Sequence, residues 1–175
     1  LSFEQSLHEI AQDKSKSQPL QAKSLLASEY GMVDVERKLG GLGRSPLVQA
    51  LIQFICGYHD LDYRDVAHVG HGRMIILHGS QRQQKLWMPK LASGSLVGIA
   101  ATEAHGGSKI QTTKTTARKN GSKHLLSGEK VYISRIKEAT VFVVFFKFEK
   151  DETLSAALID LARKGVAIET WEPMG

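Results

Sequence analysis

Residues 80–102 (SQRQQKLWMPKLASGSLVGIAAT) contain the point at which the pattern of the chain changes from helical to strand-like. Ser80 and Gln83 match a capping box, in which each residue satisfies a free N–H group at the start of a helix. Pro89 lies near the predicted end of that helix. After Leu91 the apolar residues recur with a period of two, which is typical of strands. The chain is therefore predicted to divide within this stretch.

Helical spacing of apolar residues is also present before the capping box. Ser45 and Pro46 favour a helix start, because serine caps free N–H groups and proline gives up a donor that has no partner there. Four apolar residues then follow at steps of four, three and four, which predicts that they form one buried face. They are Leu47, Leu51, Phe54 and Tyr58. Further helical patterns occupy residues 3–10, 20–30 and 62–77.

The second half of the chain has the pattern of strands joined by turns. The Asn-Gly pair at residues 120–121 is the strongest hairpin signal, and it joins predicted strands at 115–117 and 124–126. Together with the helices, this pattern predicts an α+β fold. A helical bundle, residues 1–93, is followed by an antiparallel β-barrel or sandwich-like domain, residues 94–175. The remaining predicted strands are 95–102, 131–133, 141–146, 156–159 and 166–170.

The composition excludes several classes of protein. The 175 residues are 42% hydrophobic and 23% charged, which is usual for a soluble globular chain. No apolar run approaches the roughly 18 residues of a membrane-spanning helix. The net charge of +5 comes from scattered cations, so nucleic acid is not an expected partner. No secretory signal is evident, so the cytoplasm is the expected compartment, or the mitochondrial matrix if a transit peptide was removed.

Cysteine and histidine do not predict a metal site. Cys56 is the single cysteine and lies in an apolar stretch, which favours a buried side chain over a nucleophile. His68 and His71 are three residues apart on a predicted helix, but no third ligand stands at a motif spacing. Packing or surface roles are therefore expected for both histidines.

A series of short motifs after Leu77 resembles the acyl-CoA dehydrogenase family. In that family a strand that ends in Thr-Glu continues into a Gly-Ser loop, and GIAATEAHGGS at residues 98–108 is similar to this signature. The resemblance implies an N-terminal helical domain and part of a middle β-domain. Around the signature, in the family's order, stand LHGS at 77–80, QKLWMP at 84–89, LASG at 91–94, TTA at 115–117, SG at 127–128 and KVYIS at 130–134.

The resemblance implies a noncovalent FAD held against the β-domain. In the family, one strand and the residues after it run beside the isoalloxazine ring, and their backbone groups bond its pyrimidine end. The matching residues are Ile99, Ala100, Ala101 and Thr102, and the Thr102 hydroxyl is expected near flavin N5. A second segment covers one edge of the flavin. It corresponds to Tyr132, Ile133 and Ser134, with Tyr132 standing where the family more often has Trp.

The family's Gly-Ser loop passes close to the FAD pyrophosphate and to the pantetheine arm of the thioester. Gly107 and Ser108 are therefore predicted to bind the cofactor, and Ser108 the substrate as well. Glycine lets the backbone approach a phosphate, while hydroxyl and amide groups satisfy its oxygens. The loop departs from the family at Lys109, where Asp is usual, and His105 and Ala104 replace the usual Gly and Pro.

The implied activity is FAD-dependent dehydrogenation of the α,β bond of an acyl thioester, carried on CoA or on an acyl carrier protein. Electrons would pass to a flavoprotein acceptor or to oxygen, and a homo- or hetero-oligomer is expected. The family's C-terminal helical domain supplies the glutamate that removes the α-proton, so no residue here is predicted as the catalytic base. Two alternatives stay open: a truncated or partner-dependent non-catalytic subunit, and an oxygen-using flavin hydroxylase or oxidase.

Overall fold

The computed structural model describes residues 29–58, 69–139 and 141–171, together with Gln5, His8, Glu9 and Gln12. The chain forms two compact units, Leu1–Gly98 and Ile99–Gly175. The first is helical and the second contains most of a five-stranded sheet, which confirms the predicted α+β class. The predicted domain boundary at residues 93–94 stays a prediction. In the part of the chain that the structure describes, no helix is long and apolar enough to cross a membrane.

The helical unit contains three α-helices and three short 3-10 turns within its described residues. Helix α1 spans Pro46–Tyr58, α2 spans Arg73–His78 and α3 spans Gln81–Ala92. The 3-10 turns are Glu29–Met32, Arg37–Leu39 and Gly70–Gly72. Most of the predicted helices at 3–10 and 20–30, and the first half of that at 62–77, lie outside the described residues.

The predicted capping box at the start of α3 is confirmed. The Gln83 amide N–H donates to the Ser80 hydroxyl over 3.3 Å, and the Ser80 amide N–H donates to the Gln83 side chain over 2.8 Å. Gln84 then donates from its side chain to the Ile76 carbonyl over 2.9 Å, which joins α3 to α2. Two N–H groups that the first helical turn leaves free are thus satisfied locally, and the helix is fixed to its neighbour.

Helix α1 begins at Pro46 as predicted but buries a different face. Ile52 and Cys56 are almost completely buried, whereas Phe54 is 71% exposed. The prediction of the buried face is wrong because α1 is apolar on more than one side. Val48 and Ile55 lie on the same side as Ile52, so helical spacing alone cannot decide which side faces the core. The exposed residues are the four of the predicted face, Leu47, Leu51, Phe54 and Tyr58.

The single cysteine is buried, as predicted. Cys56 lies on the inward side of α1, and burial raises the pKa of its thiol to about 11. Because the thiolate is the reactive form, a thiol with this pKa is almost entirely protonated and inert at neutral pH. Cys56 therefore packs as a small apolar residue.

The sheet is built from two hairpins and one short strand. Strands β2 and β3 pair antiparallel around the predicted Asn-Gly turn, where Gly121 has φ +60°. Strands β4 and β5 form the second antiparallel hairpin. Since β5 covers one edge of β4 along its length, β1 and β2 share the other edge. The strands are β1 Val97–Ala100, β2 Thr116–Asn120, β3 Lys123–Ser127, β4 Val141–Phe148 and β5 Asp151–Asp160.

The sheet is mixed, whereas an antiparallel sheet was predicted. Thr116 in β2 lies opposite Lys147 in β4, and these two strands run parallel. A sequence pattern predicts the relative direction of two strands only when a tight turn joins them. Strands β2 and β4 are instead connected through β3 and a long segment, so their direction was not predictable. The strands predicted at 131–133 and 166–170 are wrong, because these residues lie in irregular segments. In the first of them Tyr132 has φ +56°, which an extended strand does not accommodate.

Candidate functional site

The centre of the candidate site is the carboxylate of Glu103, which directly follows the predicted flavin-facing segment. Glu103 is only 6% exposed. One of its oxygens, Oε1, accepts from the Thr115 amide at 3.0 Å, the Thr115 hydroxyl at 2.6 Å, the Thr113 hydroxyl and the Lys130 ammonium. The other, Oε2, accepts from the Lys114 amide at 2.7 Å. The carboxylate thus joins three segments of the chain that are separated in sequence.

The electrostatics of Glu103 keep it ionised. Burial acts to raise the pKa of the Glu103 carboxyl, but hydrogen bonds from Lys130, Thr113, Thr115 and the Lys114 amide outweigh it, and the pKa lies well below its usual range. A carboxylate with a strongly lowered pKa is a weak proton acceptor at neutral pH. Glu103 is therefore an anchor of the site and has neither the basicity nor the free oxygen of a general base.

Lys130 is the buried cation of this site. Its side chain is 8% exposed. The ammonium group donates to Glu103 Oε1 at 2.8 Å, to the Thr113 hydroxyl at 2.9 Å and to the Ala101 carbonyl at 3.3 Å. An ammonium group has three N–H donors, so all three are used. Its charge is compensated by the ionised carboxylate, as buried cations require.

The structure brings together two of the predicted cofactor-binding segments. The Val131 amide donates to the Thr102 carbonyl over 3.0 Å, and Tyr132, Ile133 and Ser134 follow Val131 directly. Ile99 and Ala100 lie in β1, and Ala101 and Thr102 continue from it. Within the described residues, no protein group accepts from the backbone N–H groups of four predicted residues. These are Thr102, Tyr132, Ile133 and Ser134.

The predicted Gly-Ser loop folds back onto Thr102. Glu103 and Gly106 exchange backbone hydrogen bonds of 3.3 and 2.9 Å, which closes a tight turn. A Cβ atom at Gly107 would lie 3.0 Å from both the methyl and the hydroxyl of Thr102. Only glycine allows this approach without displacing the threonine. Ser108 is exposed on the same loop, and no hydrogen bond within the described residues joins it to the other predicted site residues.

His105, one of the loop's departures from the family pattern, joins the same network. Its Nε2 lies 3.0 Å from the Thr112 carbonyl oxygen, and its Nδ1 lies 3.6 Å from Glu103 Oε2. The Lys109 carbonyl in turn accepts from the Thr112 hydroxyl over 2.8 Å, whereas the Lys109 side chain is exposed. The imidazole therefore occupies a defined place beside Glu103, in a loop whose residues differ from those usual in the family.

Tyr132 has a backbone conformation that is unusual for a residue other than glycine. Its φ is +56°, its side chain is largely exposed, and its ring meets Trp171 edge-on with centroids 5.9 Å apart. A left-handed conformation costs such a residue on the order of 1 kcal/mol, and such outliers cluster at functional sites. The aromatic pair leaves ring faces accessible to solvent, which is the arrangement that stacking on a planar ligand needs.

Sequence reasoning missed the pair of Glu103 and Lys130. Both residues stand inside matched motifs, Glu103 in GIAATEAHGGS and Lys130 in KVYIS. Glu103 stands between small residues, Thr102 and Ala104, which was a signal that it could be buried. Lys130 directly follows the charged Glu129 and gave no such signal, and the separation of 27 positions hides the pairing. For metals, no cluster of three or more His, Cys, Asp or Glu that could hold an ion occurs among the described residues, and His68 lies outside them.

Comparison with known proteins identifies the same family that the motifs resemble. The family profile "Acyl-CoA dehydrogenase, middle domain" matches residues 98–175. A probable acyl-CoA dehydrogenase of Bacillus subtilis is 39% identical over 150 residues, which are 81% of this chain and 25% of the relative. The mitochondrial very long-chain specific acyl-CoA dehydrogenase of Rattus norvegicus is 34% identical over 121 residues, 66% of this chain and 18% of the relative.

Similarity to a solved structure extends over nearly the whole chain. A crystal structure of acyl-CoA dehydrogenase complexed with FAD from Bacillus anthracis covers 98% of this chain with a TM-score of 0.79 and 30% identity. This chain covers 31% of that one, so it spans about a third or less of the length of these three proteins. Because the family profile matches residues 98–175 and the sequence and structural similarity extends over both units, the chain belongs to the acyl-CoA dehydrogenase family.

Proposed function

We propose that this chain is part of an FAD-dependent oxidoreductase that dehydrogenates the α,β bond of an acyl thioester. The observation that carries the proposal is the set of backbone N–H groups at Thr102 and at 132–134, which lie on two adjoining segments and have no acceptor within the described residues. Two of these residues are half-buried and two are exposed, so their N–H groups are open to water and to the acceptor atoms of a bound ligand.

The residues present fit the pyrimidine end of an isoalloxazine ring. That end carries two carbonyl oxygens, which are acceptors for backbone N–H groups. The solved relative from Bacillus anthracis is complexed with FAD, which supports the same cofactor for this chain. The bound cofactor would supply the hydride acceptor for the substrate β-carbon. The chain's own part is to orient the ring through Thr102 and Ile133, with Tyr132 against its edge.

The loop at residues 104–108 is proposed to lie beside the FAD pyrophosphate and the pantetheine arm of the substrate. The tight approach at Gly107 brings the backbone of this loop next to Thr102. The exposed Ser108 hydroxyl can bond an oxygen of either group, and the Lys109 charge favours an anionic neighbour. The acyl carrier, CoA or a carrier protein, and the electron acceptor stay predictions, as does the compartment.

We assign no catalytic base to this chain. Glu103 is the buried carboxylate nearest in sequence to the proposed flavin-facing segment, and its two oxygens are occupied by five donors. A base must reach the substrate proton within hydrogen-bond distance. The proton at the α-carbon is therefore proposed to pass to a residue outside this chain.

The visible absorption spectrum tests the proposed cofactor. The purified chain is mixed with excess FAD, free cofactor is removed, and the retained flavin is measured before and after addition of an acyl-CoA. Retained flavin supports the proposed site, and bleaching by acyl-CoA without added reductant shows that a base is supplied. Absence of retained flavin contradicts cofactor binding by this chain alone.

A pair of glycine variants locates the site. Gly107→Ala places a methyl group 3.0 Å from Thr102, whereas Gly57→Ala places one in open space on α1. We expect Gly107→Ala to weaken FAD binding roughly tenfold, because small displacements of positioning groups are costly. Gly57→Ala should leave the FAD dissociation constant unchanged. Equal dissociation constants for the two variants would contradict the proposed position of the loop.

A partner-dependent subunit is the second candidate function. It is favoured by the exposed apolar side of α1, because adjoining apolar side chains on a surface mark interaction sites. Its residues are Leu47, Leu51, Phe54 and Tyr58. Sedimentation of the chain over a range of concentrations tests whether it associates with a second copy of itself. A monomer at all concentrations that nevertheless retains FAD would argue against dependence on a second copy.

A further inference from the structure

We propose that Lys130, held in place by Glu103, is a positioning residue for the cofactor: it fixes the Ala101–Thr102 peptide against residues 131–134 and strengthens the Thr102 N–H as a donor. This inference rests on the proposed function, because the ligand of that N–H group is taken to be the flavin. Lys130 itself is not placed in contact with the cofactor.

The first step is the connection between the two segments. Residues 101–103 and 130–131 are joined by three hydrogen bonds: Val131 amide to Thr102 carbonyl, Lys130 ammonium to Ala101 carbonyl, and Lys130 ammonium to Glu103 carboxylate. The second and third belong to one side chain. Lys130 therefore contributes two of the three connections between the predicted flavin-facing segments.

The second step is the effect of the charge on a peptide bond. The Ala101 carbonyl and the Thr102 N–H belong to the same peptide unit. A cation on the carbonyl oxygen draws electron density from the amide, and hydrogen bonds in such a chain strengthen one another. The Thr102 N–H, which has no acceptor among the described residues, becomes a stronger donor toward an electron-rich ligand atom.

The third step is the role of Glu103. An ammonium group buried to this extent needs an opposite charge, and the carboxylate provides it at 2.8 Å. The carboxylate is held by the Thr113 and Thr115 hydroxyls and by two backbone amides, so it cannot follow the lysine if the segments separate. Glu103 thus fixes Lys130, and Lys130 fixes the Ala101–Thr102 peptide.

The test compares three variants of the chain. Lys130→Met removes the charge and keeps an unbranched stem, Lys130→Arg keeps the charge, and Lys123→Met removes a charge from an exposed position on β3. Hydrogen exchange of the Val131 amide is measured without FAD, relative to the amides of β4 and β5. Dissociation constants are then measured for oxidised FAD and for FAD reduced with dithionite.

In Lys130→Met we expect the Val131 amide to exchange at least about tenfold faster relative to the β4 and β5 amides. We also expect the dissociation constant of reduced FAD to rise about three- to tenfold more than that of oxidised FAD, because the electron-rich form gains most from a strengthened donor. Lys130→Arg should restore part of both effects, and Lys123→Met should show neither.

Equal weakening of oxidised and reduced FAD, or Val131 exchange that matches Lys123→Met, would overturn the inference. If Lys130→Met does not fold, the double variant Glu103→Gln/Lys130→Met leaves no uncompensated buried charge and gives the same comparison. A wild-type chain that retains no FAD contradicts the proposed function instead. The exchange of the Val131 amide then decides by itself whether Lys130 holds the two segments together.

Discussion

Replacing Glu103 by glutamine should destabilise the chain strongly and in a pH-dependent way. The amide oxygen of the introduced side chain can take the place of Oε1 and keep an acceptor for four donors, but its NH₂ group then faces the Lys114 amide N–H, donor to donor. Lys130, 8% exposed, loses its counter-ion. Removing one partner of a buried ion pair costs about 3–5 kcal/mol. We expect a loss of about 3 kcal/mol, the lower end, because the Ala101 carbonyl still accepts from Lys130.

The sign of the pH dependence follows from the pKa of Glu103. Because the pKa of the folded state lies below its usual range, the carboxylate stabilises the fold fully above the pKa of the unfolded state, about 4.3. This contribution is lost progressively as the pH falls from there toward the folded-state pKa. The difference in free energy of unfolding between wild type and Glu103→Gln should therefore be constant from pH 7 to about pH 5 and should shrink below about pH 4.

Urea denaturation followed by circular dichroism measures this difference at several pH values. Glu129→Gln removes the same charge from an exposed position on the same unit, and its effect should stay within about 0.5 kcal/mol. A loss below about 1 kcal/mol for Glu103→Gln, or a loss that does not shrink in acid, would refute the assigned role of the carboxylate.

Three further outcomes follow from the structure. Ile52→Ala should lower the free energy of unfolding by about 2–4 kcal/mol, because it leaves a cavity. Phe54→Ala, at a position 71% exposed, should change it by no more than about 0.5 kcal/mol. Equal losses for the two variants in urea denaturation would mean that the other side of α1 faces the core. Cys56 should resist alkylation by iodoacetamide at pH 8 in the native chain and react once the chain is unfolded, because its thiol is buried with a pKa of about 11; rapid native labelling, read by mass spectrometry, would contradict this. Gly121→Ala should destabilise by about 1 kcal/mol, because its φ of +60° is unfavourable for alanine although the space is open; an unchanged melting temperature would show that the turn relaxes at no cost.

The candidate site was predictable from sequence only as separate pieces. The motif resemblance selected Thr102, Gly107 and residues 132–134, and their assignment to FAD stays a prediction. It did not indicate that Val131 bonds the Thr102 carbonyl or that Lys130 and Glu103 join the segments. Short-range patterns report the local backbone and the burial of neighbours, whereas these contacts form between residues about 27 positions apart in the chain.

The elements that depend on local chemistry were predictable from the sequence alone. The capping box at Ser80, the start of α1 and the hairpin at Gly121 follow from hydrogen bonding and backbone preferences within a few residues. The inward side of α1, the parallel pairing of β2 with β4 and the burial of Glu103 became evident only from the folded chain. Each of these is a choice among arrangements of similar local energy, and long-range packing and charge compensation select one of them.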